Sequence, residues 1–401
     1  MKNLILFLSI LLLVSTIGCK KYLDEKSDQS LVLITSSQDL QALLDNNSLL
    51  NLQSASADMM TSDDFYISFK DFQSLGAEEE RNLYTWQEAN VFQSYTSSFN
   101  DWARVYNMVY LANVVLENVD KIQHEPSNQA MLNNIKGQAL FIRSHSLFRA
   151  LSIWSLAFDE TTADGDLGVP LRLSSDFNKV STRASVRKSY NQVIQDLQES
   201  AELLLAQQIH TYRPSKAAAY GLLSRVYLSM RKYDSALTNA EKCLAIQNTL
   251  IDFNTLNPLS TYPVVQFNKE IIYDCSTDGT VSLSRGIARM DSLLIKKYET
   301  NDLRKQIFFE TLTDGSSAFK GSYEGKLSFF NGLSVNEIYL IRSECLARAG
   351  RVSSAMTELN TLLKNRYKTG FFNALTIENQ QQAIAKILLE RQKELIMRGL
   401  R

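Results

Sequence analysis

The sequence predicts a mainly α protein, an interrupted, tetratricopeptide-like scaffold of helix pairs that carries an irregular, loop-rich lobe. Breakers are scarce: 15 Gly and 5 Pro in 401 residues fall well below usual usage of roughly 7% and 5%. The stretch RPSKAAAYGLLSRVYLSMRKYDSALTNAEKCL, from Arg213 to Leu244, holds Leu222, Leu223, Val226, Tyr227 and Met230 at helical spacing, then Ala236, Leu237, Ala240 and Leu244. That is two amphipathic helices joined by a turn at Arg231-Lys232. A matching pair recurs only at Ser334 to Tyr367, with Ile338, Ile341 and Cys345 before Gly350 and Ala355, Leu359 and Leu362 after it. The repeat is therefore interrupted and not a tandem array.

Tyr220, Leu223, Ser224, Tyr227 and Ala236 occupy the large, apolar, small, aromatic and small positions of a tetratricopeptide unit. Ala240 stands where a large residue is usual. Hydrophobic residues make up 45% of the chain and charged ones 21%, more apolar material than one core usually organises, so two lobes are expected.

Taken in order, the chain opens with Lys2, an apolar run from Leu4 to Val14, and Ser15-Thr16-Ile17-Gly18-Cys19. This reads as a secretory signal over residues 1–18. The run is about half of the ~20 residues that span a bilayer, so removal is expected. Gly18-Cys19 resembles a bacterial lipobox, which makes Cys19 the lipidated N-terminus, held by several acyl chains including palmitate. Residues 19–30 are a polar tether.

LVLITSSQDLQALLDN predicts a short extended piece and then a helix, with Ser36 or Ser37 as cap before Asp39. From about 49 to 98 the periodicity fades. Asp58, Asp63, Asp64 and Glu78 to Glu80 mix there with Phe65, Tyr66, Phe69, Phe72, Tyr84, Trp86, Phe92 and Tyr95, an aromatic, acidic, loop-rich insertion. Trp102, Val105, Tyr106, Val109, Ala112 and Leu116 trace one face of a helix that His124-Glu125-Pro126 ends, and its partner runs from about Leu132 to Phe158. Asp164 to Pro170 turns the chain, and Val186 to Leu205 forms a further helix. A second irregular insertion, about 251–333, contains Pro258 and Pro263. The last helix, Ile377 to Met397, precedes a C-cap at Gly399. The scaffold thus occupies about 99–250 and 334–401 of a domain spanning 31–401.

The 42 basic and 43 acidic residues leave a net charge of -1, and no long basic run follows the N-terminus, so no nucleic acid partner is expected. Cys243, Cys275 and Cys345 have no CxxC pairing and read as small buried thiols. No GxSxG, Walker loop, GxGxxG or HExxH occurs, and His124, His145 and His210 lie far apart. No catalytic residue, cofactor or metal is expected. Asp164-Gly165-Asp166 begins like a calcium loop but lacks the later ligands, and reads as a solvated turn.

Cys19-Lys20-Lys21-Tyr22-Leu23-Asp24, the Tyr106 to Val119 helix with Ala112-Asn113, Gly137-Gln138-Ala139 with Ile142-Arg143, and Gly168-Val169-Pro170 form an ordered set. Arg183 to Leu197, the Arg213 to Leu244 pair, Asn301-Asp302-Leu303-Arg304, Glu337 to Leu346 and Glu390-Arg391-Gln392-Lys393-Glu394-Leu395 continue it. Together they resemble the SusD/RagB family of Bacteroidetes outer-membrane nutrient-binding lipoproteins, nearly end to end. The resemblance implies four tetratricopeptide-like helix pairs, a ligand-binding lobe built from the insertions and no catalysis. It also implies a lipid anchor facing the cell exterior and a SusC-like TonB-dependent transporter over which the lipoprotein closes as a hinged lid.

An oligosaccharide is held by flat apolar platforms for its C–H faces and polar groups for its hydroxyls. Tyr66, Tyr84, Trp86 and Tyr95, outside helical periodicity and beside Asp63, Asp64, Asn82, Gln87 and Asn90, are the candidate contacts. Trp102 and Trp154, on helical faces, read as core. Peptide pockets use the same residue types, so the cargo reads as oligosaccharide or peptide. Two alternatives come from other classes: a helical-repeat scaffold that binds proteins on a concave face, and a surface hydrolase using a carboxylate pair.

Overall fold

In the computed structural model, which describes residues 34–88, 91–92, 100–123, 125–277, 280–321 and 323–400, the periodic segments become helices with few exceptions. The signal segment, Cys19, the tether, the extended piece before Ile34, Asn90 and Tyr95 lie outside the described residues. Nine helices among the described residues have eight residues or more: α1 (Ser37–Leu44), α2 (Asp101–Val119), α3 (Gln129–Trp154), α4 (Val186–Leu203), α5 (Lys216–Ser229), α6 (Tyr233–Ile246), α7 (Val335–Arg348), α8 (Val352–Lys364) and α9 (Gln380–Glu394). Small polar residues start several of them, as the orphan N–H groups of a first turn require. Ser36 and Asp39 form a reciprocal capping box on α1, Ser185 caps α4, Ser215 caps α5 and Asn379 caps α9.

From α2 to α6 each helix packs on the next, and α7 returns to pack on α6 although residues 247–334 intervene. The scaffold is thus continuous in space where it is broken in sequence. Close approach rests on small residues. Ala236, Ala240 and Ala355 are fully buried, and a Cβ added to Gly221 would stand 3.4 Å from Cys243 Sγ and 3.5 Å from Ile338 Cδ1. The turns inside the two helix pairs share one geometry. Lys232 N donates to Tyr227 O and Gly350 is matched by Arg231, which takes φ 58° where glycine takes 76°.

Element ends differ from expectation in two places. α3 stops at Trp154, four residues before Phe158, because Ser155 turns extended and Arg183 Nη2 donates to Trp154 O at 2.7 Å. α9 begins at Gln380 and ends at Glu394, since Asn379 supplies the cap. The 49–98 insertion is also more helical than expected: Ala57–Met60, Phe69–Ser74 and Glu78–Tyr84 are helices of seven residues or fewer, too short to print a 3.6-residue period.

The two insertions share a hydrophobic cluster that includes Met59, Phe65, Leu83, Phe253, Phe308, Tyr323 and Phe330, distinct from the cluster of the helical scaffold. Strand Phe65–Ile67 of the first insertion pairs antiparallel with Ala288–Met290 of the second. Ile271–Tyr273 pairs with Leu333–Ser334 at the root of α7. Every named strand among the described residues has a single partner and four residues or fewer, so side-chain bonding must do much of the ordering.

It does so through one buried ionic cluster. Arg304 contacts Asp302 at 2.7 Å, Glu390 at 2.6 Å and Glu394 at 3.1 Å. Lys393 contacts Asp302 at 2.7 Å, and Arg366 bridges Glu270 and Glu394, each at 2.8 Å. All these side chains are fully buried. Asn336 Nδ2 donates to Glu394 Oε1 and to Tyr323 Oη, whose O–H donates to Glu270 Oε2 at 2.7 Å. Arg225 of α5 and Arg398 both reach Glu337 of α7. The cluster therefore joins α5, α7 and α9 to the lobe.

Removing one member of such a set leaves its partners charged in an apolar interior. Arg304→Met is expected to destabilise the chain by about 3–5 kcal/mol, read as a lowered urea midpoint. Acid should act in two windows. Burial holds the His145 imidazole down at about 3, with Arg225 and Arg149 adding to it. The unfolded chain therefore takes a proton below about pH 6.5 that the fold refuses, and stability declines as pH falls from there toward 3. Burial pushes the Glu390 carboxyl up, but Arg304, Lys393 and Lys386 outweigh it and bring it to about 2. Its contribution is complete above about pH 4.5 and is lost as pH falls through 2. His145→Gln should flatten urea midpoints between pH 6.5 and 4.5 while leaving the lower window intact.

Candidate functional site

Helix Glu78–Tyr84 ends in a turn that decides where Trp86 points. Trp86 N donates to Leu83 O at 3.1 Å and Gln87 N donates to Asn82 O at 2.8 Å. This 6→1, 5→2 pair is a Schellman motif, whose left-handed residue is usually glycine. Here it is Trp86, with φ 58°. A left-handed conformation costs a non-glycine residue about 1 kcal/mol, and the indole recovers little by packing, since it is 75% exposed. Sparsely populated backbone conformations cluster at binding and active sites, which makes Trp86 a candidate contact.

Trp86 borders a cavity of about 690 Å³ whose walls include Ser62, Asp63, Asp64, Gln87 and Phe92. Asp63 and Gln87 are exposed. The Ser62 hydroxyl is buried and has no hydrogen-bond partner in the protein. Asp64 is buried, with Met397 N donating to its Oδ2 at 3.2 Å, so it braces the wall against the end of the described chain. The cavity thus unites Trp86, Asp63 and Asp64 among the expected contacts.

The other expected tyrosines sit elsewhere. Tyr84 is half-buried against Phe65 and Phe72, with ring centroids at 5.8 and 6.0 Å, and its Oη accepts from Ile67 N at 2.9 Å. It fastens the Trp86 helix to strand Phe65–Ile67 and lies outside the cavity wall. Tyr66 is exposed on the outward side of that strand, opposite Arg289, and lies outside the cavity wall. Tyr95 lies outside the described residues.

Helical spacing assigned Trp102 and Trp154 to the core; Trp154 does pack, partly buried, against the scaffold core, whereas Trp102 is exposed. Phe92 of the cavity wall stacks edge-on with Trp154 at 5.2 Å, Trp154 with Trp102 at 5.0 Å, and Trp102 contacts Tyr106 at 4.7 Å. Trp102 is 36% exposed and Trp154 half-buried. A row of rings therefore leads away from the cavity along α2. The i, i+4 spacing of Trp102 and Tyr106, with exposed Tyr110 next, was the available signal.

A larger cavity, about 790 Å³, lies among residues 164–188, but its wall holds Arg172, Lys179, Arg183, Lys188 and aliphatic side chains with no aromatic ring. The Asp164-Gly165-Asp166 turn beside it is internally satisfied: Asp164 accepts from Arg187 Nε at 2.9 Å and Asp166 from Thr162 Oγ1 at 2.6 Å. Among the described residues no group of three or more His, Cys, Asp or Glu side chains is placed to hold a metal ion, and no helix is long and apolar enough to cross a membrane.

Residues 21–228 match the SusD-like family described as starch-binding associating with outer membrane. The chain belongs to that family. Solved SusD-like structures agree on the fold. A SusD-like carbohydrate binding protein from Bacteroides vulgatus superposes with a TM-score of 0.70 at 21% identity, covering 91% of this chain and 82% of the other. A SusD superfamily protein from Bacteroides fragilis gives 0.72 at 20% identity, with 92% and 89% covered. One from Bacteroides thetaiotaomicron gives 0.69 at 19%, with 91% and 87% covered. No curated protein matches the chain significantly.

The turn at Trp86 yields a test of its own. Trp86→Gly removes the left-handed penalty and little packing, so stability is expected to rise by about 1 kcal/mol or less. A clear fall in the urea midpoint would show that the indole is a structural plug.

Proposed function

We propose that this SusD-like chain is a cell-surface lipoprotein, anchored through Cys19, that captures an oligosaccharide at the Trp86 cavity and delivers it as a lid to a SusC-like TonB-dependent outer-membrane transporter. The observation that carries the reading is Trp86 itself, an exposed indole held in a left-handed turn above a cavity lined by Asp63, Gln87 and Ser62. The flat ring suits the C–H face of a sugar, the Asp63 carboxylate accepts from sugar hydroxyls, and the Gln87 amide both donates and accepts. The family description and the carbohydrate-binding relative from Bacteroides vulgatus point to the same ligand class.

Binding without turnover fits the carboxylates. A glycosidase sets two carboxyl groups across the scissile bond, with the acid raised toward neutrality. Burial pushes Asp274 up to about 7 and Glu324 to about 8, yet both are 1% exposed or less and line none of the cavities above. Beside Trp86, Asp64 is engaged by a backbone N–H. Delivery by hinge closure calls for release, so modest affinity is suitable.

Calorimetry of the chain against glycan and peptide panels tests this. A glycan should bind, and Trp86→Ala should weaken it at least about tenfold with the melting temperature unchanged. The chain should also co-purify with a TonB-dependent barrel from native membranes. Absence of both ligand binding and barrel would sink the reading, and binding of peptides alone would change the cargo.

A further inference from the structure

The cavity among residues 164–188 is set apart by its charge. Its wall carries Arg172, Lys179, Arg183 and Lys188 against two carboxylates, Asp164 and Asp176. Asp164 is already taken by Arg187, at 2.9 Å. The four cations of the wall are not taken: among the described residues, none of them lies within ion-pair distance of a carboxylate, whereas their neighbour Arg187 meets both Asp164 and Glu160.

Two of the four are built into the fold. Arg183 Nε donates to Gly168 O at 2.6 Å, and its Nη2 donates to Trp154 O at 2.7 Å and to Leu167 O at 2.9 Å. Arg172 Nη1 donates to Ser181 Oγ and Nη2 to Asp176 O, each at 2.9 Å. Every one of these acceptors is neutral. They fix where each guanidinium stands without cancelling its charge, and a planar fork held in that way is preorganised for an anionic group such as a carboxylate or sulfate.

The row of rings from the Trp86 cavity ends at this wall. Steps of 4.7 to 5.2 Å lead from Phe92 through Trp154 and Trp102 to Tyr106. Trp154 O is the carbonyl that Arg183 holds, and Tyr106 Oη donates to Pro170 O at 2.9 Å, one residue before Leu171 of the wall. Burial pushes the Tyr106 phenol up, and Arg172 and Arg183 both draw it back, so both guanidiniums act on the end of the row. The two ends of the row differ in sign: Asp63 and Asp64 stand at the Trp86 end and the four cations at the other.

We propose that the glycan bound at Trp86 is an acidic oligosaccharide, bearing carboxylate or sulfate groups, whose anionic units sit at Arg172, Lys179, Arg183 and Lys188. The inference rests on the Trp86 reading and adds the charge of the ligand and its direction. Rings along α2 take the C–H faces of the sugars. The carboxylates at the Trp86 end repel an anionic unit and the cations at the far end attract it, so the ligand is held in one orientation.

Calorimetry of the full chain tests this with an oligogalacturonide and its methyl ester, and with a sulfated galactan oligosaccharide and its desulfated form. At least one acidic probe should bind about tenfold or more tighter than its neutral form. The pair that shows the margin tells carboxylate from sulfate. The margin should shrink as sodium chloride is raised from about 0.05 to 0.5 M. Lys179 and Lys188 are both exposed, so the double variant Lys179→Gln, Lys188→Gln should lose most of the margin with its melting temperature unchanged, and Arg172→Gln should lose it as well. Equal binding of the acidic and neutral forms overturns the proposal and leaves the Trp86 reading standing, as does a margin that survives in both variants. Neutral glycans bound with every acidic probe refused has the same meaning. Absence of all glycan binding, acidic and neutral, takes the Trp86 reading down with the proposal.

Discussion

The structure depends on one desolvated ionic cluster. Five cations, Arg225, Arg304, Arg366, Lys393 and Arg398, meet five anions, Glu270, Asp302, Glu337, Glu390 and Glu394, with side chains no more than 6% exposed. Balance is what makes the cluster tolerable, because any excess charge at this depth would have to be neutralised or hydrated. Its net worth against a hydrophobic replacement is modest. What it does supply is selectivity of arrangement: guanidinium forks donate to carboxylates in few geometries, so loops with little regular structure are held in one relation to the helices. A lobe of two- to four-residue strands needs that kind of constraint, since its ladders alone are too short to fix it.

Several segments that carried the family resemblance are parts of such locks. Asn301 to Arg304 and Glu390 to Leu395 supply half of the ten charged members of the cluster. Arg143 clasps Asp196 of α4 through two bonds of 2.7 and 2.8 Å and also reaches Asn113 of α2. Ser200 donates to Gly137 O at 2.8 Å, and a Cβ at Gly137 would press within 3.0 to 3.2 Å of Leu203 and Leu204. Gln138 and Gln41 exchange hydrogen bonds at 3.0 and 3.2 Å. These residues hold helices together.

Legibility in the sequence followed period. α2 and α4 to α8 could be placed within a few residues because an apolar face repeats over three turns or more, and α1 because Ser36 and Asp39 announce its start. The lobe could be recognised only as irregular: its elements are too short to repeat, and its order comes from contacts such as Glu80 with Ser282 at 2.6 Å. Trp86 and Asp63 could be singled out because an aromatic beside acids in an aperiodic stretch has no core to join. Tyr84 met the same criterion and packs inward, since its orientation is set by Phe65 and Phe72. Trp102 erred in the other direction, exposed while Trp154 packs on the scaffold core: helical spacing places a residue on a face but does not say whether that face is fully covered.

The span of the contacts at the Trp86 cavity also orders its assembly. Helices α2 to α6 dock on their sequence neighbours, the local kind of contact that forms early in folding. The cavity wall closes across 333 positions, from Asp64 to Met397, and Asn51 meets Asp274 across 223. A chain synthesised from its N-terminus holds Asp63 and Trp86 long before Leu395, Gly399 and Leu400, which line the opposite side. The scaffold can therefore mature while the Trp86 cavity still lacks its far wall, which closes only in chains that have completed their longest loop closures.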